Sequence, residues 1–335
     1  MILLRFAVGF AAALSYPATT VLGQDTIPRM TLASDPSPLT EGALGWLMVR
    51  PGGPGGPDTV AGGEAGGEPI HFEAWAIGEY RGIVAVPVES SDSLPVSVYL
   101  TRNGKVDTVR SAVTVRQAGY PREVLAVAPK FAKPDSAAAA RIRRENARSR
   151  QVSLASRNHP RLWQGPFRLP RASRITSAFG AARVYNGEVR SRHLGTDFAG
   201  AVGTPVLATG RGVIAMVADF YLAGKAVYID HGQGLVTAYF HLSRADVAAG
   251  DTVASGQRIG AVGQSGRVTG PHLHWVTRLG TIAVDPMSLL ALVGSECHPE
   301  PFDSAEGRLR AGSAGLTSQH QCPMVSPRDS SLHSE

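Results

Sequence analysis

Three observations predict an all-β fold for this chain of 335 residues. It is rich in turn formers, with 38 Gly and 23 Pro. Its β-prone apolar residues fall in short runs that Gly or Pro interrupts. No ten-residue stretch in the second half carries the 3.6-residue period of a helix. The expected architecture is a small, immunoglobulin-like β-sandwich over residues 70–130 and a helical linker over 131–168. An antiparallel β-sheet or sandwich domain follows over 169–294.

The first 23 residues read as a secretory signal. Arg5 supplies a positive start, Phe6 to Leu14 a short apolar core, and Val21-Leu22-Gly23 small residues before a cut at Gln24. The apolar core is too short to span a bilayer, and no other segment approaches the ~18 apolar residues that would. The mature chain is expected to be exported to the periplasm or cell envelope, or secreted, without a transmembrane segment. Residues 24–69 contain Pro51-Gly52-Gly53-Pro54-Gly55-Gly56-Pro57 and a second Gly-rich run, and read as a flexible leader.

From Ile70 the pattern turns to β. Ile83 to Val86 form a short apolar strand. Val96, Val98 and Leu100 alternate with polar neighbours, Asn103-Gly104 makes a tight turn, and Val106 to Val109 return. Pro134-Asp135 then opens an alanine-rich segment, with Asp135 or Ser136 as cap, which predicts a helix up to about Gln151. Between Arg141 and Arg192 there are thirteen Arg, two Glu and no Asp or Lys. That excess reads as a solvated helix and linker or, functionally, as an attraction to a polyanion. Only a few aromatics lie among these arginines and none alternates with them as a base-stacking surface would, so nucleic acid is the less favoured polyanion and is not expected as a partner. An anionic cell envelope suits an exported chain.

Strands are expected at Arg174–Ala178, Asp197–Ala199, Pro205–Thr209, Gly212–Val217, Ala226–Asp230, Leu235–His241, Arg258–Val262 and Leu273–Thr277. Two cysteines, Cys297 and Cys322, lie in the tail over 295–335. One disulfide is expected of such a pair in an exported protein; two free thiols, or a metal site with His298 or His320, are the alternatives.

Chemistry concentrates in a few histidines. His272 and His274 lie two apart in an apolar, β-prone run, so they share one face of a strand. His193 and Asp197 lie four apart, but Gly195 and Gly200 argue for a turn into a strand rather than a helix. His241 ends the run Val236 to His241. A catalytic zinc needs three protein ligands and an open position. His193, Asp197 and one histidine of the pair would supply them. There is no HExxH glutamate, so a histidine must act as general base.

The HxxxD of His193 and Asp197, Tyr239-Phe240-His241-Leu242-Ser243 and Gly270-Pro271-His272-Leu273-His274-Trp275 resemble the M23 (lysostaphin/LytM-type) zinc metallopeptidases over about 175–286. Gly203-Thr204-Pro205-Val206, Asp230-His231-Gly232 and Gly250-Asp251-Thr252-Val253 fit as well. The β-module and Arg-rich linker look like the accessory region of exported Gram-negative members. The resemblance implies one zinc per chain, bound by His193, Asp197 and His274. It implies catalytic roles for His241 and His272, with His272 as general base and His241 at the oxyanion or leaving amine, roles that could be exchanged. It implies endopeptidase action on the stem or cross-link peptides of peptidoglycan, with cell-envelope proteins as further partners. The alternative is a non-hydrolytic LytM-type partner that activates a cell-wall amidase. A biotinyl or lipoyl carrier is excluded because Lys225, the one lysine after Lys133, lacks the neighbours such modules need.

Overall fold

A computed structural model describes residues 30–52, 59–124, 135–185, 188–294, 302–303 and 308–309. The signal segment and both cysteines, with their expected disulfide, lie outside the described residues. No helix among the described residues is long and apolar enough to cross a membrane.

The fold is β-rich, with an N-terminal sandwich, a linking helix and a C-terminal sheet domain. The sandwich begins at Met30, not at Ile70. Its strands are β1 (Met30–Asp35), β2 (Leu39–Thr40), β3 (Leu44–Pro51), β4 (Thr59–Ala65), β5 (Glu68–Ile70), β6 (Glu73–Ala76), β7 (Glu79–Ala85), β8 (Ser93–Arg102) and β9 (Lys105–Arg116). The first five fall within the segment expected to be a flexible leader, and that expectation is corrected here. The Gly/Pro-rich composition hid them: β3 is an unbroken apolar run, Leu44 to Val49, buried on both faces and so without alternation. Only 53–58 of that segment's Gly/Pro run falls outside the described residues.

One sheet runs β1-β3-β7-β6 and the other β2-β9-β8-β4-β5. Leu47, Val49, Val84, Val96, Val98 and Leu100 fill the space between them. The β8–β9 turn is Asn103-Gly104, with φ of 49° and 76°. Both residues need φ > 0 in the primed turn that matches strand twist, which is why this dipeptide sits there.

Strand β10 (Arg122–Val124) leaves the sandwich. Helix α1 (Ser136–Ser156) follows, capped by Asp135, whose carboxylate accepts from Ala138 N–H at 2.7 Å. The sheet domain comprises β11 (Ile175–Ser177), β12 (Ala182–Tyr185), β13 (Glu188–Arg192), β14 (Thr196–Ala199), β15 (Pro205–Leu207), β16 (Gly212–Phe220), β17 (Gly224–Gly232), β18 (Leu235–Ala245), β19 (Thr252–Val253), β20 (Arg258–Val262), β21 (His272–Leu279) and β22 (Ile282–Val284). It ends in helix α2 (Pro286–Gly294). Each of the eight expected strands has a counterpart. β12, β13, β19, β22 and α2 are additional.

Ten of these strands form one sheet along the path β11-β14-β21-β18-β17-β16-β19, with β15, β20 and β22 attached. One face carries Phe198, Ile214, Tyr239, Leu273 and Trp275, covered by Leu289 and Leu292 of α2. Trp46, Leu44 and Met48 of the sandwich join that same core, and Trp46 Nε1–H donates to the Leu292 carbonyl at 3.2 Å. The opposite face carries Phe220, Tyr228, Val236 and Val276, against which Val152 of α1 packs. The sheet therefore has a core side and a side that α1 covers only in part. The uncovered remainder is where the histidines emerge.

Candidate metal centre

Antiparallel pairing of β14 with β21 sets Asp197 opposite His274, and Ala199 opposite His272. Period-two alternation then turns His272 and His274 to one face and Leu273 and Trp275 into the core. His193 enters on the turn that follows β13. Its Nε2 lies 3.1 Å from Asp197 Oδ1 and 2.9 Å from His274 Nδ1, and the last two atoms are 2.6 Å apart. His193, Asp197 and His274 form the one group of potential metal ligands among the described residues.

Whether this set suits zinc can be tested on its geometry and protonation. Tetrahedral ligands at ~2.0–2.2 Å from zinc lie about 3.3–3.5 Å from one another. The three donors are about 0.2–0.9 Å closer than that and face one another. His193 Nδ1 is 2.9 Å from the Ala178 carbonyl, to which it donates. That fixes the tautomer with a bare Nε2 facing Asp197 and His274, the form a metal ligand needs. Ser177 Oγ stands 2.8 Å from the same Nδ1 and donates to Glu123 of β10. Burial would raise the Asp197 carboxyl, but His274 and His193 beside it hold it well below the usual carboxylate range. Burial lowers the His274 pKa to about 4, against the pull of Asp197, so one ring nitrogen keeps its lone pair at neutral pH. The donor set fits zinc.

Gly195 is part of this construction. A Cβ there would sit 2.6 Å from His274 Cε1 and 2.6 Å from the Trp275 carbonyl oxygen. The turn between His193 and Asp197 must lie flat against the His274 ring.

His241 and His272 flank the three donors. Their rings are 4.9 Å apart, and His241 lies 5.9 Å from the His274 ring. His272 Nδ1 donates to the Gly270 carbonyl and His241 Nδ1 to the Ser265 carbonyl, each at 2.9 Å. Each therefore turns Nε2 away from its anchor. His272 Nε2 is 3.7 Å from Asp197 Oδ1. Burial first, then the neighbouring His274 and His272, lower the His241 pKa to about 3.

Alternation along β18 would put His241 on the core face with Tyr239. A bulge prevents this. Val227 pairs with Tyr239 and Lys225 with Leu242, so Phe240 and His241 together oppose the single residue Ala226. His241 takes the left-handed backbone, φ 61°, and its ring joins the groove instead. A non-glycine residue there costs about 1–2 kcal/mol.

His231 belongs to a different network. Its Nδ1–H donates to the Arg211 carbonyl and its Nε2 accepts from Thr237, each at 2.8 Å. Thr237 is 3.1 Å from Tyr239 Oη, which accepts from Thr209 N–H at 2.9 Å. This network is buried and paired, and His231, Thr237 and Tyr239 hold it within β17 and β18.

Asp197, His241, His272 and His274 line a groove of about 830 Å³, with His193 buried behind them. Its walls include parts that motif reading did not find: Arg183, 3.5 Å from Asp197 Oδ2, and the α1 residues Glu145 and Ser149. They approach from distant sequence and carry no local signature. Arg278, by contrast, lies four residues beyond His274 on the same strand face, so extending the alternation would have reached it.

Residues 191–286 match peptidase family M23. Among similar proteins, peptidoglycan DD-endopeptidase ShyA of Vibrio cholerae is 48% identical over 103 residues, 30% of this chain and 24% of that protein. DD-carboxypeptidase/endopeptidase Mpg of Neisseria meningitidis is 41% identical over 117 residues, 35% of this chain and 27% of that one. The chain thus spans about a quarter of the length of these relatives. A crystal structure of a Pseudomonas aeruginosa protein described as a candidate M23 peptidase covers 76% of this chain and 95% of its own, at 25% identity and a TM-score of 0.58. His193, Asp197, His241, His272 and His274 all fall inside the segment, residues 191–286, that matches peptidase family M23.

Proposed function

We propose that the chain is an exported zinc metalloendopeptidase that hydrolyses stem or cross-link peptides of peptidoglycan. One observation carries the reading: His193 Nε2, Asp197 Oδ1 and His274 Nδ1 converge within 3.1 Å, with two further histidines anchored beside them. The relative named a peptidoglycan DD-endopeptidase supplies the substrate class. A zinc ion held by His193, Asp197 and His274 would polarise the scissile carbonyl and make a water acidic enough to lose a proton near neutral pH.

The remaining steps fall to the chain itself. His272, with Nδ1–H bound to the Gly270 carbonyl, keeps a bare Nε2 and takes the water's proton. His241 is held neutral by burial with Nδ1–H on the Ser265 carbonyl, so its bare Nε2 answers negative charge on the carbonyl oxygen only once it carries a proton. That charge offsets the burial, so Nε2 takes on the proton that His272 drew from the water and passes it to the leaving amine, and both rings return to neutral. The bulge at His241 is the device that brings this ring to the reacting bond.

Incubation of the full chain with purified peptidoglycan, with and without a chelator, tests the reading. Chelator-sensitive release of muropeptides with new peptide ends is expected, and mass analysis names the bond. No release, together with stimulation of a cell-wall amidase, would replace hydrolysis by the activator role.

A further inference from the structure

Strand β21 offers the groove one more polar residue. His272, His274, Val276 and Arg278 share its outer face, while Leu273, Trp275 and Leu279 enter the core. Arg278 lines the same groove as the histidines. Its Nη1 donates to Ser149 Oγ on α1 at 3.1 Å. Among the described residues no carboxylate pairs with it.

Its neighbours differ in this respect. Arg183 has Asp197, and Arg141 has Glu145 at 2.6 Å. Glu145 is fully engaged, since its other oxygen accepts from Tyr221 N–H at 2.8 Å. Burial pushes the Arg278 pKa down, and the Tyr228 phenol is the group that opposes this. A guanidinium drawn from water without a counter-ion is costly. Around it stand the Ser149 hydroxyl, the Tyr228 phenol that bonds to it, and Arg148, whose guanidinium lies 5.6 Å from the Phe220 ring. This end of the groove holds Arg278 and two hydroxyl groups, with the exposed Arg148 outside its lining, and its one nearby acid is already paired. A carboxylate fits that set, because a guanidinium fork binds its two oxygens at once.

Four strand residues separate His274 from Arg278, about 13 Å at ~3.3 Å per residue. An extended peptide covers that span in about four residues. We propose that Arg278, with Ser149 and Tyr228, forms a subsite for a carboxylate of the substrate peptide, about four residues from the bond that is cut, with Arg148 adding positive charge from outside the groove. It rests on the peptidase reading above and makes that reading narrower: the substrate is an anionic peptide held in one register, and α1 is a wall of the binding site.

The probes are two soluble cross-linked muropeptides, one with free carboxylates and one with those carboxylates amidated. Binding is measured by calorimetry on the full-length, zinc-loaded chain carrying His272→Ala, so that turnover does not consume the complex. The free-carboxylate form is expected to bind roughly ten- to a hundredfold more tightly, as loss of a charge-assisted bidentate contact implies. Adding Arg278→Gln should erase that preference while leaving the amidated form's affinity unchanged. Arg148→Gln, a surface change without risk to folding, should reduce it in part. Equal binding of the two forms, no binding of either, or a full preference that survives Arg278→Gln overturns the subsite. If the unsubstituted chain still releases muropeptides while charge preference is absent, the subsite alone fails. Charge preference without release would strike the hydrolytic reading alone.

Discussion

Gly195→Ala is the sharpest test of how the metal centre is built. The added methyl would meet His274 Cε1 at 2.6 Å, His274 Nε2 at 2.7 Å and the Trp275 carbonyl oxygen at 2.6 Å. Ordinary contact needs about 3.5 Å, so something must move by roughly 0.9 Å. The Trp275 backbone is fixed by pairing with Thr196 and Tyr239 on either side. The movement therefore falls on the His274 ring or on the turn that carries His193. Metal–ligand distances tolerate only about ±0.2 Å, so either displacement costs a ligand much of its bond. We expect a ~10–100-fold loss of zinc affinity, measured by competition with a chromophoric chelator. Overpacking of about 1–3 kcal/mol should also lower the melting temperature of the zinc-free chain by several degrees. A folded Gly195→Ala chain that holds zinc with unchanged affinity would refute the reasoning.

Three further outcomes follow from the same geometry. His193→Ala should leave the purified chain without tightly held zinc, whereas His272→Ala should retain one zinc per chain and lose most turnover; metal analysis with peptidoglycan assays separates the two. His241→Gly should be more stable than His241→Ala by about 1 kcal/mol in urea melts, because glycine takes φ near +60° without strain. His231 is buried with its pKa lowered to about 4, so the unfolded chain binds the extra proton. That contribution is complete above about pH 6.5 and is lost as pH falls toward 4, on the order of 3 kcal/mol. Urea melts between pH 7 and pH 4 should show the slope, and a His231→Gln chain should show less of it.

Much of the site could be read along the chain because it is built from short-range pattern. Alternation placed His272 and His274 together, and the glycines around Asp197 pointed to a turn into a strand. The eight strands expected in the sheet domain were legible because Gly and Pro mark their ends. What escaped had two physical causes. Strand β3, buried on both faces, has no polar alternation to announce it, and a glycine-rich stretch such as β4 looks like linker until a partner strand pairs with it. The bulge at His241 and the approach of α1 to the groove depend on contacts between residues far apart in sequence. No local rule could tell that Phe240 and His241 would share one partner in β17.

The junction between sandwich and sheet domain also has a thermodynamic meaning. Trp46, Leu44 and Met48 complete the core around Leu289 and Leu292, and buried Glu68 binds Arg157 at 2.5 Å and the Thr281 backbone at 2.7 Å. Cutting the chain between the units would uncover one side of that core and strand a carboxylate in it. A border that is plain in the order of the residues is thus absent from the energetics. Scanning calorimetry should record a single endotherm, and a Trp46→Ala change some two hundred residues from the histidines should lower the temperature at which the metal site is lost.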